Sequence, residues 1–268
     1  MPWGSFSTTH LLTLALVIAV NVLICLVLKR NTRTKQILSL FVFSLIGIAC
    51  LIGGILLYPG EWIKHLPLTF WGLNIILLPF AVLSRGKRIC NLLLIWSAGS
   101  IIALVFNTNM AHLDVLSFEF LYFFIMHMFG AGIPILLFEL GLVRRDTHTV
   151  KPTLITTFAV YTVVHWVNLA INSANNWSVN SGVNYMSTLA PTSPLLRFLY
   201  TVMPADYWYM VLVLPIVLLY VLYWYLPEIL DNRRSKHPLR EKLRDIDKYY
   251  DEYAEEYIDD IIDKKYKK

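Results

Sequence analysis

Residues 117–151 read SFEFLYFFIMHMFGAGIPILLFELGLVRRDTHTVK. From Ser117 to Val143 the run is apolar enough, and long enough at ~1.5 Å per residue, to cross the ~30 Å hydrocarbon core of a bilayer as a helix. It then ends abruptly on Arg144 and Arg145. The same pattern recurs along the chain. Residues 9–28, 36–58, 66–84, 89–106, 117–143, 153–173 and 207–226 are apolar stretches separated by polar gaps. Assigning alternate gaps to opposite sides collects Lys29, Arg30, Arg33 and Lys35, then Arg85, Lys87 and Arg88, then Arg144, Arg145 and Lys151 on one side. That side also receives every basic residue after Leu226, which leaves only Lys64 and Arg197 of the 23 for the other. Basic residues mark the cytosolic face. The expectation is an all-α, polytopic membrane protein of seven transmembrane helices, with its N-terminus outside and its C-terminus in the cytosol.

Composition agrees. The 268 residues are 57% hydrophobic and 15% charged, against ~25% charged in soluble domains. The net charge of +5 is pooled in gaps and tail, so it reads as anchoring to an anionic inner leaflet and not as a nucleic-acid signal. Met1 to Thr9 lacks Lys and Arg, so the first apolar run is expected to stay as a helix and not to be a cleaved signal. Cys25, Cys50 and Cys90 fall within or at the edge of apolar runs and form neither a disulfide framework nor a CxxC pair. There is no Walker loop, GxSxG or GxGxxG, and no cofactor is expected.

Residues 1–228 are expected to form the membrane domain and 229–268 a charged, Tyr-rich cytosolic tail. In that tail Leu239, Leu243, Ile246, Tyr250, Tyr253 and Tyr257 alternate spacings of four and three, and Ile261 follows four further on. The pattern fits an amphipathic helix on the inner membrane face, or a short coiled coil that makes a homodimer through residues 239–261. Between helices two and three, Tyr58-Pro59-Gly60 is a turn. In helix two, Gly47, Gly53 and Gly54 permit close packing. Helix three opens near Leu66-Pro67 and carries Asn74 and Pro79. The gap from Ser173 to Asp206 is long, rich in Asn, Ser and Pro, and holds an apolar patch at 194–200 expected to meet the membrane surface.

Ionisable groups at membrane depth are costly and so are functional candidates. His127 lies ~15 Å below the outer surface and His165 ~12 Å, counted at the helical rise. Glu119 stands two turns above His127, about 80° round the helix. Cys50 comes out near the depth of His165. Each has a plainer role to set against this: an intramembrane histidine often links helices, Glu119 can reach water, and a buried thiol is usually packing. Glu61, His65, His112, Asp114, Asp206 and His10 lie on the outer side, but none stands at a ligand spacing such as HxxxH or HExxH, so no metal site is expected.

Several landmarks together resemble a known family. They are Phe6-Ser7-Thr8-Thr9-His10 at helix one, Leu66-Pro67-Leu68 at helix three and Phe118 through His127 at helix five. Asn184-Tyr185-Met186 in the long loop, Pro204 and Trp208-Tyr209 complete the set. Over residues 6–226 the chain resembles the YwaF-type bacterial integral membrane proteins. That family looks related to eukaryotic membrane acyltransferases that remodel phospholipids. In those enzymes a cysteine just after the Leu-Pro-Leu landmark works with a histidine on the later aromatic helix. The resemblance matches His127 to the histidine, but Trp71 stands where the cysteine would be.

Three outcomes follow: Cys50 supplies the thiol, His127 acts directly on an acceptor, or the chain keeps lipid binding without the chemistry. The resemblance implies a multi-pass protein of the bacterial plasma membrane whose partners are membrane lipids. His127 and His10 are its candidate catalytic groups, and Glu119, Asn184, Tyr185 and Tyr209 its candidate substrate-binding groups. The rivals are a small-molecule transporter and a non-enzymatic assembly protein acting through its tail. Against the transporter, the chain has no paired helix breaks and no repeat symmetry.

Overall fold

The computed structural model describes residues 2–57, 60, 62–106, 110–177 and 182–234. Among these residues eight α-helices follow in order: α1 (Thr8–Lys29), α2 (Arg33–Leu56), α3 (Phe70–Ser84), α4 (Lys87–Val105), α5 (Phe118–Glu139), α6 (Val150–Ala174), α7 (Pro194–Val202) and α8 (Leu214–Arg234). Short 3-10 turns occupy Trp62–His65, Thr147–Thr149, Tyr185–Ser187 and Trp208–Val213. No strand forms among the described residues, and an isolated bridge pairs Pro2 with Asp114. The chain divides into two compact units, Met1–Val221 and Leu222–Lys268. In the second unit the described residues continue α8 to Arg234. The heptad-like positions Leu239–Ile261 and the pairing expected of them lie outside the described residues, as do Tyr58 and Pro59 of the expected turn.

Six helices of the described residues are long and apolar enough to span a membrane. The expected third spanning helix is shorter than the sequence suggests. It begins at Phe70, not Leu66, and its 15 residues reach only ~22 Å. Pro67 disfavours helical backbone at Leu66, and Thr69 then caps the helix by accepting the Gly72 N–H at 3.1 Å. Leu66 and Leu68 pack against a buried cluster that includes Tyr161 and Tyr185, so this half-buried, non-helical backbone lies against protein.

Helix α5 is the axis of the bundle, packing on α1, α2, α3 and α4. Small residues let the backbones close. Gly54 of α2 lies under the Tyr122 ring of α5, and Gly132 of α5 lies against the side-chain amide of Asn21 from α1. The helix stops at Glu139, four residues before the end of the apolar run. Gly141, at φ +67°, takes the left-handed conformation, and Gly141 N–H and Leu142 N–H return to the carbonyls of Phe138 and Leu137. The last expected helix also differs. It enters through the 3-10 turn at Trp208–Val213 and runs past Pro227 to Arg234.

The three basic turns of the first unit meet at one end. Arg33 donates to Gly141 O at 2.9 Å, which joins the α1–α2 turn to the α5–α6 turn. Asn91 at the start of α4 donates to Arg144 O at 3.4 Å and accepts from Asp146 N at 3.3 Å. At the opposite end Trp3 N and Gly4 N donate to Leu113 O and Ala111 O, both at 2.8 Å. The basic turns of the described residues therefore gather at one end, the end that the positive-inside rule would turn to the cytosol.

Candidate functional site

His127 sits in the third turn of α5, fully buried. Its Nδ1 lies 2.8 Å from the carbonyl of Phe123, one turn earlier. A carbonyl can only accept, so Nδ1 carries the proton, and Nε2 of the neutral ring presents a lone pair. Nε2 has no hydrogen-bond partner among the described residues. The ring packs against Phe123 and Trp71, at centroid distances of 4.0 and 4.7 Å. It borders a cavity of about 270 Å³ with Trp71 from α3, Gly99 and Ala103 from α4, and Phe123 from α5. Thr192 and Ser193, from the long outer loop, complete the lining.

That loop is held by asparagines one turn apart on α6. Asn172 accepts Val183 N–H at 2.8 Å and donates to Val183 O at 2.7 Å. Asn168 accepts Tyr185 N–H at 3.0 Å and donates to Tyr185 O and Thr188 Oγ1, both at 2.8 Å. Each amide thus takes both backbone groups of one loop residue, as a neighbouring strand would. The anchors permit a tight turn in which Met186 and Ser187 both have positive φ, a conformation unfavourable for residues with a side chain. Tyr209, fully buried, donates its hydroxyl to Ser187 O. Tyr207 N–H donates to Thr188 O at 2.8 Å. Helix α7 follows, capped by Ser193 with Pro194 at its first position.

Most of the residues singled out from the sequence build this frame and do not face the cavity. His10 is fully buried, but both its nitrogens are engaged: Nδ1 accepts Phe6 N–H at 2.9 Å and Nε2 donates to Leu104 O at 2.8 Å. It ties the start of α1 to the end of α4. Asn184 folds its amide back onto its own loop, at Ala190 O and Leu189 N. The hydroxyl of Tyr185 is buried without a partner among the described residues, and burial pushes this phenol up to about 12. Glu119 is half-buried in the first turn of α5 and does not line the cavity. His165 pairs with Thr188 Oγ1 at 3.1 Å on α6, so the two histidines of similar depth are not brought together. None of the three cysteines lines the cavity. Among the described residues no three His, Cys, Asp or Glu side chains cluster to hold a metal ion.

Thr192 and Ser193 escaped sequence reasoning. The helix-start signature Ser193-Pro194 was the available signal, but nothing in the pattern says that the loop returns over α5. A second, apolar groove of about 180 Å³ runs between Phe70 of α3, Leu154 and Phe158 of α6, Met210 of the last 3-10 turn and Leu214 at the start of α8. Phe70 and Trp71, adjacent in sequence, face the groove and the cavity respectively.

Fold and site together define a polytopic integral membrane protein with a loop-covered intramembrane cavity that exposes an imidazole lone pair. The chain belongs to the TMEM164 family, whose sequence profile matches residues 5–225. No curated protein and no solved structure matches it.

Proposed function

We propose that this protein handles acyl lipids from the outer half of a bacterial plasma membrane, with His127 as the working base. The observation that carries the reading is the unpartnered Nε2 lone pair, buried beside a cavity. An unpaired buried acceptor costs about 1–3 kcal/mol, so retaining one argues for a bound group that donates to it. At about 270 Å³ the cavity lies just below the usual range for small-molecule pockets, ~300–1,000 Å³. It suits a head group or an ester and not a whole phospholipid. The apolar groove beyond Phe70 suits a hydrocarbon chain.

The absence of a thiol at the cavity favours direct base catalysis. Nε2 takes the proton from an acceptor O–H or N–H. The freed oxygen or nitrogen attacks the ester carbonyl of an acyl donor, and the donor's alkoxide leaves and recovers a proton from the imidazolium. Trp71 against His127 supports a second reading, in which lipid binds and no acyl group moves, because an indole fills the place expected for a nucleophile. His127→Ala separates the two. Acyl transfer from labelled phospholipid in membranes should fall ~10²-fold or more if His127 is the base. Transfer absent from the parent protein, with photoreactive lipid still captured by both proteins, selects the binding reading. Measured transfer that is unchanged by the substitution removes His127 from the chemistry.

A further inference from the structure

Three helices converge on Gly130, one turn below His127 on α5. Asn74 of α3 is fully buried and its Nδ2 donates to the Gly130 carbonyl at 3.0 Å. Since that carbonyl accepts, the amide orientation is fixed, and Oδ1 is left without a partner among the described residues. Ser100 of α4 is fully buried too, and its Oγ stands 2.7 Å from where a Cβ on Gly130 would be. This hydroxyl has no partner among the described residues either. Buried serines in helices normally bond back to their own helix. Ser97 and Ser44 do so here, to Leu94 O at 2.7 Å and Phe41 O at 2.6 Å. Ser100 does not, and lies instead over the glycine of α5.

Of these groups only His127 borders the cavity; Asn74 is one turn along α3 from the lining residue Trp71, and Ser100 follows the lining residue Gly99 on α4. At Gly130, Asn74 offers a pure acceptor, Oδ1, and Ser100 a hydroxyl able to donate or accept. The complementary guest both donates and accepts, as water does. We propose that Asn74 and Ser100 hold a water beside Gly130, one turn below His127. A polar pocket with two to four partners holds water, whereas an apolar one stays dry. Within a bilayer there is no other solvent to satisfy these atoms.

The test is Ser100→Ala, followed by thermal unfolding of the full chain in detergent. If Ser100 holds water, its loss leaves the rest of the site under-bonded, and Tm falls by about 2–4 °C. If the pocket is dry, the change removes an orphaned hydroxyl, and Tm stays level or rises; that result overturns the proposal. Should the alanine variant not fold, Ser100→Cys in a chain with Cys25, Cys50 and Cys90 replaced by Ala keeps it testable. Methyl methanethiosulfonate should label the introduced thiol in the folded protein if the pocket is hydrated. Labelling only after denaturation would refute the site.

Discussion

The loop that covers His127 should come loose when Asn168 is replaced by Ala. Its side chain holds Tyr185 N–H at 3.0 Å, Tyr185 O at 2.8 Å and Thr188 Oγ1 at 2.8 Å. Tyr185 and Thr188 are both buried, so the substitution strands two backbone groups and weakens a third contact. A net bond contributes about 1 kcal/mol, and a buried group left unpaired costs ~1–3 kcal/mol. Loop opening to outer water relieves part of this, which brackets the loss at about 2–4 kcal/mol. At about 1.4 kcal/mol per decade, hydrogen exchange across residues 183–188 should accelerate roughly 30- to 1,000-fold. Deuterium uptake by mass spectrometry reads this directly, with the amides of α5 as an internal reference. Asn172→Ala should do the same from the Val183 end. Unchanged uptake in both variants, with α5 equally protected, would refute the view that two α6 amides hold the cover.

Three other perturbations follow. Alanine at three glycines should rank by what the new methyl meets: Gly53→Ala neutral to slightly stabilising in open space, Gly54→Ala costing ~1–3 kcal/mol against the Tyr122 ring at 2.8 Å, and Gly72→Ala costing at least as much against the Pro67 backbone carbonyl at 2.8 Å. Thermal melts give the order, and a destabilising Gly53→Ala would break it. Trp71→Cys, in a chain with Cys25, Cys50 and Cys90 replaced by Ala, puts a thiol beside His127 and should react with maleimide faster than a chain whose only thiol is Cys90, buried with Sγ 3.5 Å from Ala81 O. At the outer face, the Asp206 carboxylate, by its charge and by accepting the Tyr200 hydroxyl, holds that phenol above its ordinary range. Because the folded value is raised, this contact contributes fully below the ordinary tyrosine range near ~10 and fades as pH climbs above it. Asp206→Asn should bring the Tyr200 titration down, as read by carbon NMR of the labelled ring.

Charge and hydropathy made the bundle legible because a bilayer enforces both. Arg33, Arg144 and Lys87 had to share one side, and Arg33 does reach Gly141 across the turns. Helix ends were less legible where backbone geometry overrides apolarity: Pro67 and Thr69 delay α3, and Gly141 stops α5 before its hydrophobic run is spent. At the site, the depth of His127 could be counted from sequence, but the free nitrogen could not. Its tautomer depends on the Phe123 carbonyl, which only a folded helix presents. His10 was the candidate second group, and the difference lies in two bonds, to Phe6 and Leu104, one of them to a residue 94 positions away. Asn168 and Asn172 carry no local signal that sets them apart on their helix. Their pairing with Val183 and Tyr185 depends on where a long loop folds back, and no local pattern encodes that.

Cryo-electron microscopy of the protein in lipid nanodiscs tests the account most directly. Lipid density should enter between Trp71 and Thr192, with a polar atom within hydrogen-bonding reach of His127 Nε2. A ring nitrogen bonded to the protein, in a space closed off by side chains, would contradict it.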